Sequence, residues 1–193
     1  MKLLLIGHTE RYPVEQLQMQ LFPDEPSEFV TQRFSGDGTV SSLSRGKKYL
    51  TATAKVTRGE KTGFAARRIP LTQADVRMTR RILQQSYYLA ATRVLGTVPP
   101  WGALSGVRPT KLPTKCMLAG GSEKDAARLL EKTYFVTPER SRLCVDASKH
   151  TLEAAKLLEP GDLSVYIGIP FCPTRCSYCS FVSESIERFG AFL

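Results

Sequence analysis

Long apolar runs are missing from this sequence. A membrane-spanning helix needs about 20 consecutive apolar residues, whereas the run near the N-terminus covers only Leu3 to Ile6, shorter than the hydrophobic centre of a signal peptide. No later stretch approaches a span, so the chain reads as cytoplasmic. Histidine is scarce too, with two in 193 residues. His8 and His150 stand apart from any ligand pattern and read as partners in local hydrogen bonds, which leaves no histidine-based metal centre. An even cysteine framework is also lacking: five cysteines, three of them crowded together, fit a reduced compartment better than a set of disulfides. No internal repeat or low-complexity tract is present. Acidic charge, finally, is nearly absent from the middle of the chain, where residues 31 to 120 hold 16 basic and 3 acidic groups against 2 and 5 before them and 9 and 10 after. The whole formal charge of +9 therefore arises there. Clustered Lys and Arg attract nucleic acid or an anionic substrate through their long-range field, and they equally form a solvated face with no partner. No RNP-type aromatic signature or zinc-finger spacing accompanies them, so nucleic acid is not the leading reading.

What is present is a globular balance of 42% hydrophobic and 23% charged residues, which excludes a chain dominated by disorder. Residues 1 to about 70 read as strands. Lys2 to Gly7 is a short apolar run, and Tyr49 to Val56 alternates Leu50, Ala52, Ala54 and Val56 against Tyr49, Thr51, Thr53 and Lys55, predicting a sheet with one wet face. Ser35-Gly36-Asp37-Gly38 and Arg58-Gly59-Glu60-Lys61 predict the turns of two hairpins. Pro13 to Leu21 predicts a short helix after the first strand, with Pro23 and Pro26 preventing a longer one. Residues 71 to 160 read as helices. Thr72 with Asp75 resembles a capping box, and Leu83, Tyr87, Ala90 and Val94 recur at helical spacing as far as Gly96. Further helices are expected from Thr110 to Leu118, from a cap at Ser122 with Asp125, and from Thr137-Pro138 to Glu159-Pro160-Gly161. The last is expected to bury Cys144, Ala147, Thr151, Ala155 and Leu158. Cys144 and Cys116, the latter sharing a helical face with Leu112, read as small buried hydrophobes rather than ligands.

The other three cysteines crowd into PFCPTRCSYCSF, residues 170 to 181, as Cys172, Cys176 and Cys179 in a C-x₃-C-x₂-C spacing. Leu163 to Ile169 before them reads as a strand, with Val165, Ile167 and Ile169 on one face and Ser164, Tyr166 and Gly168 on the other, ended by Pro170. The thiols then follow in a loop at the strand's carboxyl end, where α/β folds place their sites. Three thiolates on a short loop can wrap one side of a cubane iron–sulfur cluster, because soft sulfur suits iron and each cysteine reaches a different corner. A tetrathiolate zinc site needs a fourth ligand. The nearby sequence supplies none, and Cys144 lies 28 residues upstream on a helix. Structural zinc in a non-enzyme remains the alternative, and metal analysis after anaerobic purification separates the two.

The stretch SVYIGIPFCPTRCSYCSF resembles the radical S-adenosylmethionine superfamily. Within it, the flanks resemble the oxygen-independent coproporphyrinogen III oxidases, whose usual form is Y-x-H-I-P-F-C-x₃-C-x-Y/F-C-x-F. Upstream, WGALSGVRPTKL (residues 101 to 112) and the long leader look like the HemZ type of coproporphyrinogen dehydrogenase. One departure is Gly168, which stands where many relatives carry histidine, so no role of that histidine is carried over. The resemblance implies an α+β N-terminal domain of antiparallel hairpins plus helices over residues 1 to 160. Residues 161 to 193 would then open a partial (β/α) barrel with its first strand and cluster loop. It implies that Cys172, Cys176 and Cys179 ligate three irons of a 4Fe–4S cluster, that S-adenosylmethionine chelates the fourth, that Tyr166 contacts the cofactor and that Tyr178 lies near its adenine.

The implied reaction is reductive cleavage of the sulfonium to a 5′-deoxyadenosyl radical, which abstracts hydrogen from a propionate side chain. Loss of CO₂ and an electron then turns two propionates of coproporphyrinogen III into vinyl groups, as in haem biosynthesis. The implied partners are an anionic porphyrinogen substrate and an electron donor such as flavodoxin or ferredoxin. Arg108 and Lys111 are candidates for anion contacts, although both also suit an exposed helix start. Two other readings share the motif: a haem chaperone-like relative, distinguished by haem binding, and an RNA-modifying enzyme with a basic RNA-binding leader, distinguished by steep salt dependence. A barrel of about six strand–helix units needs well over roughly 100 residues past its first strand, and 14 remain from Ser180 onward. The chain is therefore expected to be an N-terminal fragment, with a folded leader, a mobile motif segment from about residue 163 and no catalysis on its own.

Overall fold

A computed structural model of the chain describes every residue except 107, 178, 180, 190, 192 and 193. The described residues form two compact units, Met1–Lys156 and Leu157–Leu193. The first is built on a five-stranded sheet in the order β2-β1-β3-β4-β5. Strand β1 (Lys2–Ile6) runs parallel to both β2 (Glu28–Val30) and β3 (Gly38–Arg45), because helix α1 (Arg11–Leu21) and then the 31–37 loop each carry the chain back to start a new strand in the same direction. From there the order is antiparallel. β4 (Tyr49–Arg58) pairs with β3 from Gly38↔Thr57 to Arg45↔Leu50, and β5 (Lys61–Pro70) pairs with β4 from Tyr49↔Pro70 to Arg58↔Lys61.

The sheet is thus mixed, where antiparallel hairpins alone were expected. Arg58 to Lys61 does turn a hairpin. Ser35 to Gly38 does not: it belongs to the crossover from β2 to β3, and the other hairpin turns through Gly46, Lys47 and Lys48. The glycine at 38 answers a close approach rather than a hairpin, since a Cβ there would overlap the ring of Phe34. The alternation in β4 is as read. Leu50, Ala52, Ala54 and Val56 are buried against helix α2 (Val76–Leu95), which contributes Ile82, Leu83, Tyr87, Ala90, Ala91 and Val94, and α1 adds Val14, Leu17 and Leu21. Small residues on that face of the sheet, Ala52, Ala54, Gly63 and Ala65, let α2 lie close. The helix is capped three residues later than the sequence implied. Leu71–Gln73 form a 3₁₀ turn, the Asp75 carboxylate accepts the Met78 N–H at 2.6 Å, and Gly96 ends the helix at φ +70. A carboxylate is favoured at that end because it meets both a free N–H and the positive pole of the helix.

A second apolar cluster gathers α3 (Lys111–Leu118), α4 (Glu123–Arg128), a π-helical turn at Leu129–Thr133 and α5 (Pro138–Ala155) around Ala126, Leu130, Val136, Cys144 and Val145. The capping box at Ser122 and Asp125 is present as read, and its hydrogen bonds hold the Asp125 carboxyl below the usual carboxylate range. Helix α5 departs from expectation twice. It ends at Ala155, four residues before Glu159, and it buries Ser141, Cys144, Val145 and Ser148, whereas Ala147, Thr151, Ala155 and Leu158 are exposed. The stripe of apolar letters misled because the buried stripe includes two serines whose hydroxyls are satisfied by backbone. Ser148 Oγ lies 2.8 Å from the Cys144 carbonyl and 3.2 Å from that of Thr110, and Ser141 Oγ donates to the Ala127 carbonyl at 3.4 Å.

Candidate functional site

Between Leu163 and Ile169 no strand forms, contrary to the reading of the sequence. The alternation is there, but a strand exists only where neighbours take its N–H and C=O groups, and no described segment pairs with it. Leu163, Val165, Tyr166, Ile167 and Ile169 are between 72% and 88% exposed. Pairing begins two residues later. β6 (Phe171–Cys172) runs parallel to β7 (Glu184–Ser185), setting Phe171 beside Glu184 and Cys172 beside Ser185, and the Glu184 N–H donates to the Pro170 carbonyl at 2.6 Å. The loop between them is thereby closed at its base, and the single turn α6 (Ile186–Phe189) follows.

That closure shapes a cavity of about 510 Å³ lined by Cys172, Cys179 and Tyr166, with Gly168, Phe181 and Val182 in its wall. Cys176 sits on the exposed part of the loop, outside this lining. Its carbonyl accepts the Cys179 N–H at 3.0 Å, a turn that fixes the spacing of the second cysteine pair. The Cys179 Sγ lies 3.9 Å from the Phe181 carbonyl. Two of the three predicted ligands and one of the predicted tyrosines thus share a cavity; Tyr178 lies outside the described residues. Among the described residues no three His, Cys, Asp or Glu side chains converge tightly enough to hold a metal ion. The donors nevertheless fit an iron–sulfur cluster in kind: among the described residues no carboxylate or imidazole lines the cavity, and thiolates are the soft ligands iron–sulfur chemistry uses.

Gly168, left without a role by the motif, borders the Tyr166 ring. A Cβ at 168 would stand 3.0 Å from the Tyr166 ring, so glycine leaves that ring its position in the cavity. The available signal was the spacing, two residues apart on one face of an extended segment. The wall was also missed, since Phe181 was read only as the last letter of the motif and Val182 follows it with no chemistry of its own.

The remaining candidates lie outside the cavity. The His8 Nε2 is 3.3 Å from the Ser41 carbonyl, and burial lowers its pKa, keeping the ring neutral; the His150 Nδ1 is 3.0 Å from a Glu153 oxygen. Arg108 and Lys111 are exposed, and the Arg108 carbonyl accepts the Lys111 N–H as α3 begins. Cys144 is 2% exposed, burial pushes its thiol pKa up, and Cys116 packs against the same second cluster. Among the described residues, neither belongs to a group of three side chains that could hold a metal ion. Cys144→Ala is expected to cost roughly 1–2 kcal/mol in denaturant unfolding, Cys116→Ala less, and both variants should keep the wild-type iron content after anaerobic reconstitution. Loss of iron from either would reveal a missed ligand.

The comparisons come from sequence and from shape. No protein-family profile matches the chain. It is 28% identical over 191 residues to the "Oxygen-independent coproporphyrinogen-III oxidase-like protein HemZ" of Bacillus subtilis (strain 168), an alignment covering 93% of this chain and 36% of that protein. The chain therefore spans about a third of the length of this curated relative. A crystal structure of protein VC0702 from Vibrio cholerae aligns over 81% of this chain and 96% of that one, at 14% identity and a TM-score of 0.26, a likeness too slight to carry an argument. No helix among the described residues is long and apolar enough to cross a membrane.

Proposed function

We propose that the chain carries the cluster-binding part of a radical S-adenosylmethionine oxidoreductase that decarboxylates the propionates of coproporphyrinogen III without oxygen. The observation that carries the reading is the cavity shared by Cys172, Cys179 and Tyr166 within a C-x₃-C-x₂-C loop. Its likeness along 93% of its length to a coproporphyrinogen-III oxidase-like protein supports the same reading. Cys172, Cys176 and Cys179 would hold three irons of a 4Fe–4S cluster as thiolates. A cluster held there together with S-adenosylmethionine would supply an electron to cleave the sulfonium and, through the cleaved cofactor, hydrogen abstraction from a propionate, which would then lose CO₂ and one electron to an external acceptor to become a vinyl group.

The chain's own residues prepare the site. Closure of the loop by the Glu184–Pro170 hydrogen bond holds Cys172 and Cys179 at the cavity wall, and binding requires the exposed Cys176 to turn inward. Phe181 and Val182, in the cavity wall but largely exposed here, would cover the thiolates once a cluster is bound, lowering the local dielectric and tuning the potential. Tyr166, with room left by Gly168, would contact the cofactor, and Tyr178 would lie near its adenine. The basic stretch from 31 to 120 would draw an anionic porphyrinogen towards the chain, with Arg108 and Lys111 as contacts. A small cytoplasmic electron carrier such as flavodoxin or ferredoxin would reduce the cluster. The test is metal analysis of protein purified anaerobically and reconstituted with iron and sulfide. Close to about four irons and four sulfides per chain are expected; zinc held in their place, with no sulfide, would overturn the reading.

A further inference from the structure

The other face of the sheet carries a second arrangement. On β3, β4 and β5 the residues pointing away from α2 form a grid fixed by register. Val40, Lys55 and Phe64 stand in one row; Ser42, Thr53 and Ala66 in the next; then Ser44, Thr51 and Arg68; then Tyr49 beside Pro70. These strands bury Ala52, Ala54 and Val56 completely on the helix side, yet hold Phe64 54% and Tyr49 40% exposed. Each ring has a cation beside it. Lys55 is the cross-strand neighbour of Phe64, and the Arg68 guanidinium lies 4.8 Å from the centre of the Tyr49 ring. No carboxylate occurs on this face of the three strands, Glu28 being on the far strand β2, and Lys47 and Lys48 add charge at the tip of the β3–β4 hairpin. Beside β3, the ring of Phe34 and the amine of Lys55 wall a cavity of about 210 Å³ with the hydroxyls of Thr57 and Thr62.

We propose that this face binds single-stranded nucleic acid. Exposed rings gain most from a flat apolar partner, and a base offers one on either side whatever its sequence. Cations flanking those rings suit the phosphates between stacked bases, and the serine and threonine floor offers hydroxyls to sugars and base edges. The row of Phe64 and the row of Tyr49 are separated by six residues of β4, Tyr49 to Lys55. That is about 20 Å, the reach of roughly four to six nucleotides. Charge agrees: β3 to β5 lie wholly within residues 31 to 120, the stretch with 16 basic and 3 acidic groups. A duplex fits poorly, because its bases are already stacked on one another. The site uses no residue after Pro70 and stands or falls separately from the cluster.

The experiment is fluorescence anisotropy of the chain with labelled 12-nucleotide oligouridine, the same length of oligothymidine and a 12-base-pair duplex. Both single strands are expected to bind more tightly than the duplex. Phe64→Ala and Tyr49→Ala should each weaken binding roughly ten-fold, with Phe64→Tyr restoring it and melting temperatures unchanged because both rings are exposed. Lys55→Ala should flatten the salt dependence by about 0.7 in log–log slope. Arg142→Ala, an exposed cation on α5, should change nothing. No binding, equal binding of the duplex, affinity indifferent to Phe64 and Tyr49, or tighter binding of coproporphyrin at the same residues would each overturn the proposal.

Discussion

Cys176→Ser is expected to reduce reconstituted iron to the background of a variant lacking all three motif cysteines. The effect is the largest foreseen because the ligand set has no spare member. Two thiolates, even the pair at 172 and 179 already lining one cavity, leave two irons of a cubane without protein ligands. A serine hydroxyl is too hard a donor to replace the missing sulfur. The fold should survive, since Cys176 is exposed and, among the described residues, its backbone carbonyl closes a turn that serine can also make. Iron content and ultraviolet–visible absorbance near the thiolate-to-iron bands measure the loss, and circular dichroism checks the fold. Retention of the full iron content would mean that the three cysteines are not the ligands.

The second large effect lies far from the motif. Gly63→Ala is expected to destabilise the first unit by roughly 3 kcal/mol or more, because a Cβ at 63 would overlap the Ala90 carbonyl oxygen, approach its carbon to 3.0 Å and stand 3.2 Å from the Arg93 Cβ. The first two obstacles are backbone atoms of α2 and cannot rotate away. Either the helix lifts from β5, opening voids beside Ala65 and Ala91, or the strand bends; both forfeit packing contacts that an interior of this density cannot regain elsewhere. The melting temperature should drop by about 6–12 °C, by the usual conversion for a domain of this size. Thr62→Ala, one residue away and exposed, should move stability by no more than about 0.5 kcal/mol. A Gly63→Ala protein as stable as its parent would show that α2 does not rest on β5 as described.

Where the sequence was legible, one physical rule acted alone. The alternation of β4 names its buried face because every other residue of a half-buried strand must leave water, and Gly96 marks the end of α2 because a left-handed residue is cheapest as glycine. Errors arose where tertiary partners decide. The letters Ser35 to Gly38 make a plausible hairpin turn, but whether β2 pairs with β3 or with β1 depends on which edge is free after α1 crosses. The buried stripe of α5 was misplaced because Ser141 and Ser148 count as polar until their hydroxyls meet carbonyls of Ala127 and Cys144. In the motif region, the three cysteines stood out by spacing, whereas the cavity they partly share depends on a pairing of Phe171–Cys172 with Glu184–Ser185 that no local pattern announces. The rows of the open sheet face were equally hidden, since Phe64 and Lys55 become neighbours only through the β4–β5 register.

The central claim is that three thiolates hold a cluster with one iron left for a cofactor. Electron paramagnetic resonance of the reconstituted, dithionite-reduced protein, recorded with and without S-adenosylmethionine, tests it most directly. The account predicts a reduced-cluster signal that changes shape when S-adenosylmethionine is added, keeps its original shape when methionine amide replaces it, and disappears in Cys176→Ser. A signal indifferent to S-adenosylmethionine, or no cluster signal from protein carrying all three cysteines, would contradict it.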